Sequence, residues 1–189
     1  MKTYKLLMAA ALIMLAACNS NPPENENQGE NNHEQSAPKE GRFNGTVVVV
    51  GGNVDMTVTP PVVGDFSKDE VYVTLEKQED GTYNILLEEV NFSNMMPNSI
   101  NMAIPQVSLN DGVISSAADE EFVNPLLITA VGTAPDSNYE ISKLTGKVNY
   151  TSDGGYKDIT LSMTVTMVRN ERRTAYPTSY EGKFEEVTE

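Results

Sequence analysis

The run DITLSMTVTMV, residues 158–168, alternates without a break: Ile159, Leu161, Met163, Val165 and Met167 fall on one side, Thr160, Ser162, Thr164 and Thr166 on the other. A period of two is the mark of a strand with one buried face. VYVTLEK repeats it with Val71, Val73 and Leu75, TYNILLEEV with Tyr83, Ile85 and Leu87, and LTGKVNY with Leu144, Gly146, Val148 and Tyr150. FNGTVVVV, VDMTVT, INMAIPQVSL and TSYEGKF predict four more strands, the last with Tyr180, Gly182 and Phe184 inward, and PLLITAV a further short one. No segment carries a helical apolar stripe.

Residues suited to positive φ fall between these runs. Gly51-Gly52-Asn53, Asp80-Gly81, Asn110-Asp111-Gly112 and Asp153-Gly154-Gly155 each fit a tight hairpin loop. Eight or so strands joined by short hairpins imply an antiparallel meander, and one with a single apolar face must close on itself or pack as two sheets. Closure is the expected solution because it leaves no exposed edge. Pro105 donates no ladder hydrogen bond, so a bulge or edge is expected there. The fold class read from the pattern is therefore all-β: one antiparallel barrel of about eight strands within residues 42–189.

The first 41 residues read differently. Lys2 and Lys5 precede twelve uncharged residues, Leu6 to Ala17, and then Cys18, the only cysteine. A basic start, a short apolar core and small residues before a cleavage point have the layout of a secretory signal over residues 1–17. Twelve residues fall short of the roughly 20 needed to span a bilayer. Leu15-Ala16-Ala17-Cys18 resembles the bacterial lipobox, which implies that Cys18 becomes the lipid-modified first residue and membrane anchor. Two acyl chains on that thiol suffice for stable anchoring. Residues 18–41 contain no Val, Ile, Leu, Phe or Tyr and include Glu24, Glu26, Glu30, Glu34 and Glu40. With no apolar surface to bury, they are expected to form a disordered acidic linker.

Composition narrows the function. The formal charge is −14, and loss of Lys2 and Lys5 with the signal takes it to −16. Such a surface repels phosphate backbones, so nucleic acid is not an expected partner. The sole histidine, His33, lies in the linker. Chemistry that needs an imidazole in the folded part is excluded, including Ser-His-Asp catalysis and most zinc sites. No Gly-x-Ser-x-Gly elbow occurs, and neither catalytic residues, a metal site nor a cofactor is expected.

Three groups remain as candidates. Met163 and Met167 are predicted to face inward, with Met95, Met96 and Met102 near a neighbouring strand; methionines suit an irregular apolar ligand and serve equally as core filler. Asp119-Glu120-Glu121 lacks calcium-loop spacing, and Glu88-Glu89, as neighbours on a strand, are expected on opposite faces. Both read as solvated surface. Arg169, Arg172 and Arg173 in RNERR stand out in an acidic chain and at a hairpin tip would meet an anionic partner or be neutralised by nearby glutamates.

The strands FNGTVVV, DGTYNILLEEVNF (Asp80, Gly81, Tyr83, Phe92), INMAIPQVSL with NDG, LTGKV, ITLSMTV and YEGKF, over about residues 43–185, resemble the calycin-like lipoproteins of Bacteroidetes. The resemblance implies a lipocalin-related barrel behind a lipobox and carries no catalytic residues. The Gly-x-Trp opening of true lipocalins is absent, since the chain has no Trp. Two functions follow as expectations. One is a non-enzymatic outer-membrane lipoprotein that binds a small apolar ligand; the other is a filled-core module of an envelope or nutrient-uptake complex. Replacing Cys18 by Ser should move the protein from the membrane to the soluble fraction of fractionated cells, whereas undiminished membrane retention would rule the anchor out.

Overall fold

The computed structural model describes residues 41–116 and 121–187. Cys18, His33, the signal region, the rest of the linker, and Asp119 and Glu120 lie outside them. The described chain is entirely β, with ten strands: β1 (Gly41–Asp55), β2 (Val62–Lys77), β3 (Tyr83–Val90), β4 (Ile100–Asn110), β5 (Val113–Ser116), β6 (Leu126–Thr129), β7 (Gly132–Pro135), β8 (Tyr139–Tyr150), β9 (Tyr156–Arg169) and β10 (Arg172–Glu186). All pairings are antiparallel. The sheet order is β3-β2-β1-β10-β9-β8-β5-β4-β6-β7, and a β3–β4 pairing joins eight of these strands into a barrel-like ring.

The meander is interrupted once. β5 and β6 lie end to end on one flank of β4, β5 against Val107–Asn110 and β6 against Asn101–Ala103. The β6–β7 hairpin then stands outside the ring. Across this break, Val123 and Ile141 exchange backbone hydrogen bonds of 2.8 Å. The short PLLITAV strand is β6, as the pattern predicts; β7, four exposed residues, has no apolar alternation to reveal it.

Each ring strand sends apolar side chains inward. Val47, Val73, Leu87, Ile104, Ile114, Val148, Val165 and Tyr180, one from each, are at most 2% exposed. Burial of this kind is worth about 1.5–3 kcal/mol per large side chain relative to exposure, and it supplies the drive for closure. The inward sides predicted for 71/73 and 85/87 are the buried ones, and so are those for 159, 161, 163 and 165.

The turns at Asp80-Gly81, Asp111-Gly112 and Asp153 to Gly155 are hairpin connections as expected. Asp111 and Gly112 take φ of 50° and 78°, and Asn170 and Glu171 between β9 and β10 take 49° and 65°. Gly51-Gly52-Asn53 is a correction. It makes no hairpin but lies within β1, where the register against β2 jumps between Val49 and Asn53 and Gly51 has φ of 73°. VDMTVT is consequently no separate strand: Val54 and Asp55 end β1, and the turn follows, with a cis Thr59–Pro60 bond.

Four further positive-φ residues sit at or beside register shifts: Glu70 in β2, Glu89 in β3, Gln106 in β4 and Lys143 in β8. Each is a bulge, which bends its strand and sharpens the local twist. The one at Gln106 follows Pro105, where the sequence predicts it. The spare backbone donors find side chains. Gly51 N donates to Asp65 Oδ1 at 3.2 Å, and Glu89 N donates to Asn101 Oδ1 at 2.9 Å. The Glu89 bulge also corrects the expectation for Glu88-Glu89: Leu87 and Val90 are both buried, so neither glutamate between them turns to the core.

The first and last strands meet at a glycine pair, Gly45↔Gly182. A Cβ on Gly45 would collide with the Glu181 carbonyl, and one on Gly182 with the Tyr180 ring. That ring is fully buried, and its hydroxyl lies 2.9 Å from the Phe43 carbonyl and 3.1 Å from the Val71 carbonyl, to which it donates. Burial, with the Glu185 charge second, pushes its pKa upward, so the donor proton is retained. Tyr180→Phe should lower unfolding free energy by about 1–2 kcal/mol and Tyr180→Ala by about 3–5 kcal/mol in urea melts. A wild-type melt for both would show that the phenol does not hold the seam.

Candidate functional site

The ring has two different ends. At one end lie the chain entry at Gly41, the exit at Glu186 and the β2–β3, β4–β5 and β8–β9 turns. Here the rings of Phe43, Tyr156 and Phe184 approach one another at 5.5 Å between centroids, and Tyr150 stacks on Tyr156 at 5.8 Å. An open cleft of about 620 Å³ borders this cluster, lined by Phe43, Leu75, Tyr83 and Tyr156 together with Arg42, Glu76, Lys77 and Glu88. The Arg42 guanidinium lies 3.6 Å above the Tyr72 ring centroid. Sequence reasoning missed this grouping because the aromatics come from four strands; their shared position at strand ends was the available clue.

The opposite end, the mouth, is formed by the β1–β2 and β9–β10 hairpins, the β3–β4 loop and the start of β8. A groove of about 390 Å³ lies here, lined by Met95, Met96, Pro97, Asn98, Ile100, Asn138, Tyr139, Met167, Val168 and Arg169. The β3–β4 loop is fixed in place by Asn94. Its side-chain amide accepts from Val54 N and donates to Val54 O, each at 3.0 Å, while its own N–H donates to Gly52 O at 3.1 Å. Phe92 N–H lies 3.1 Å from the Met96 sulfur, and the Phe92 ring packs 6.0 Å from Tyr139. Met96 is thereby half-buried against the core while Met95 is 60% exposed. Burial, then the Asp136 charge, pushes the Tyr139 pKa upward, so its phenol keeps its proton at neutral pH.

The five methionines singled out in the sequence therefore divide. Met102 and Met163 are buried core filler, 1% and 3% exposed. Met95, Met96 and Met167 line the mouth groove. Met167 shares the inward side of β9 with Met163 and Val165 but lies at the rim, half-buried, because β9 runs on past the core.

The arginines divide as well. Arg169 pairs in register with Arg172, and Met167 with Thr174, on the side of the hairpin that continues the ring interior. Met167, Arg169, Asn170, Arg172, Thr174 and Tyr176 line a second hollow of about 530 Å³ that shares Met167 and Arg169 with the methionine groove. Arg173 falls on the opposite side. There its guanidinium forms a short ion pair with the buried carboxylate of Glu140 and sits 5.6 Å from the Phe122 ring centroid. The expected neutralisation by glutamate thus applies to Arg173, while Arg169 and Arg172 make no ion pair among the described residues. Glu121 is exposed.

Tyr156, half-buried at the aromatic end, has its pKa pushed from the usual 10.0 up to about 12, first by burial and then by the Tyr83 and Tyr150 phenols. The folded state holds this proton more tightly than the unfolded chain. Stability should be complete below about pH 10 and fall as pH rises toward about 12. Alkaline urea melts read this directly, and a flat profile through that window would contradict the burial. No family model matches the chain, and neither a curated protein nor a solved structure is significantly similar to it.

Proposed function

We propose that this chain is a non-enzymatic lipoprotein, held at the outer membrane through Cys18, whose calycin-like barrel takes a small apolar ligand at its mouth. The observation that supports the reading is the methionine groove. At about 390 Å³ it falls in the range of small-molecule sites, about 300–1,000 Å³, opens to solvent and is walled by Met95, Met96, Ile100, Met167 and Tyr139. Thioethers on flexible stems adapt to apolar ligands of varied shape. The ligand on this reading lies against the end of the core, since the ring interior below it is occupied by side chains.

A second reading, a module that docks on an envelope or uptake complex, is favoured by one specific observation. The β1–β2 arm exposes Val50, Met56, Val58, Val62 and Val63, all more than 40% exposed. An exposed apolar set on one element marks a contact surface.

The test uses the whole chain carrying Cys18→Ser, which removes the anchor and no described residue. A neutral, environment-sensitive naphthalene fluorophore should bind with one-to-one saturation. Met95→Glu with Met167→Glu should weaken it by about tenfold or more, the equivalent of losing roughly two buried methylenes, at unchanged melting temperature. Absence of saturable binding would remove the ligand reading and leave the docking one.

A further inference from the structure

The mouth brings together two features that the charge of the chain makes incongruous. With 13 basic and 27 acidic side chains, guanidinium groups have abundant potential partners. Yet Arg169 and Arg172 stand directly opposite each other across a two-residue hairpin turn, where like charges repel, and Glu171 in the turn between them pairs with neither. Alternation along β9 and β10 sets both on the side that continues the ring interior, beside the rim methionine Met167. Their hollow, about 530 Å³, adjoins the methionine groove and shares Met167 and Arg169 with it. Thr174, Tyr176 and Asn138 add neutral polar groups along the same surface. An anion placed between the two guanidiniums turns a repulsive pair into a charge-assisted clamp, the geometry in which arginine outperforms lysine for carboxylate and phosphate.

Building on the apolar-ligand reading above, we propose that the mouth ligand is an anionic amphiphile: a single-chain lipid whose tail lies along Met95, Met96, Ile100 and Met167 and whose carboxylate or phosphate head sits between Arg169 and Arg172. The order of the two hollows fixes the polarity of binding, tail toward the β3–β4 loop and head toward the β9–β10 tip. The overall negative charge of the protein opposes anion capture, so selection rests on these two side chains alone. Arg173 takes no part because Glu140 holds it on the other side.

Calorimetry on the whole chain with Cys18→Ser compares laurate, dodecyl phosphate, dodecanol and dodecyltrimethylammonium, all below their micellar concentrations. Laurate and dodecyl phosphate should bind about tenfold to a hundredfold more tightly than dodecanol, as expected for charge-assisted hydrogen bonds, and added salt should erode the difference. The cation should bind more weakly than the alcohol. Arg169→Gln with Arg172→Gln should abolish the anion preference, so that laurate and dodecanol bind equally; if the double variant melts early, Arg172→Gln alone should halve the logarithmic preference. Lys157→Gln, a cation change on a different part of the surface, should alter nothing. Equal affinity for laurate and dodecanol would overturn the inference while leaving the groove intact. Inorganic phosphate binding as tightly as dodecyl phosphate would make the ligand a free anion. Binding to anionic vesicles without binding of the monomeric amphiphiles would make it a membrane surface. Failure of both the neutral fluorophore and the amphiphiles would remove the groove reading itself.

Discussion

The seam where the first and last strands pair is built around one side chain and the space left for it. A sheet that curls back on itself must bring its first and last strands together, and here the backbones of β1 and β10 approach where neither Gly45 nor Gly182 has a Cβ. Tyr180 fills the room that Gly182 leaves and shares its single hydroxyl proton between two carbonyls, one on β1 and one on β2. The contact spans 137 residues of sequence to Phe43. Its formation therefore waits on nearly the whole chain, and its burial couples three adjacent strands. A larger residue at Gly45 runs into the β10 backbone, and one at Gly182 displaces the Tyr180 ring; a smaller residue at Tyr180 leaves a void and an unmet polar group.

Five bulges do the complementary work of bending. Four of them place a non-glycine residue at positive φ, an uncommon backbone conformation for such residues. Compensation is visible where side chains take up the displaced donors, Asp65 at the Gly51 bulge and Asn101 at the Glu89 bulge. Polar residues that look like ordinary solvent-facing positions are thus part of how the sheet acquires its curvature. The carboxylate of Asp69, accepting from the Thr46 hydroxyl at 2.6 Å beside the Glu70 bulge, belongs to the same set.

These bulges also mark where the sequence was legible and where it was not. Alternation over 159–167, 71–75 and 83–87 identifies strands and inner faces because those stretches keep strict period two. It fails at Gly51-Gly52 and at Glu88-Glu89, since a bulge inserts a residue that the period does not count. A Gly-Gly-Asn turn and a Gly-Gly bulge have the same local chemistry, and only the partner strand decides between them. The same limit governs the site. RNERR reads as one basic cluster along the chain, but pleating sends Arg172 and Arg173 to opposite sides, one toward the mouth and one onto Glu140. The methionines were identifiable as a set, yet their division between core and rim depends on where β9 outlasts the core, which local pattern does not encode.

Asn94 has a consequence of its own. Above Val49 the first strand loses β10 as a neighbour, and the exposed N–H and C=O of Val54 would otherwise invite another chain to add itself there. A carboxamide supplies one donor and one acceptor in the spacing of a peptide unit, so this single side chain terminates the lateral growth of the sheet. The polypeptide ends its own hydrogen-bonded lattice with a capping group rather than a further strand, and the same anchor makes the methionine lip and the valine-rich arm a single mechanical piece.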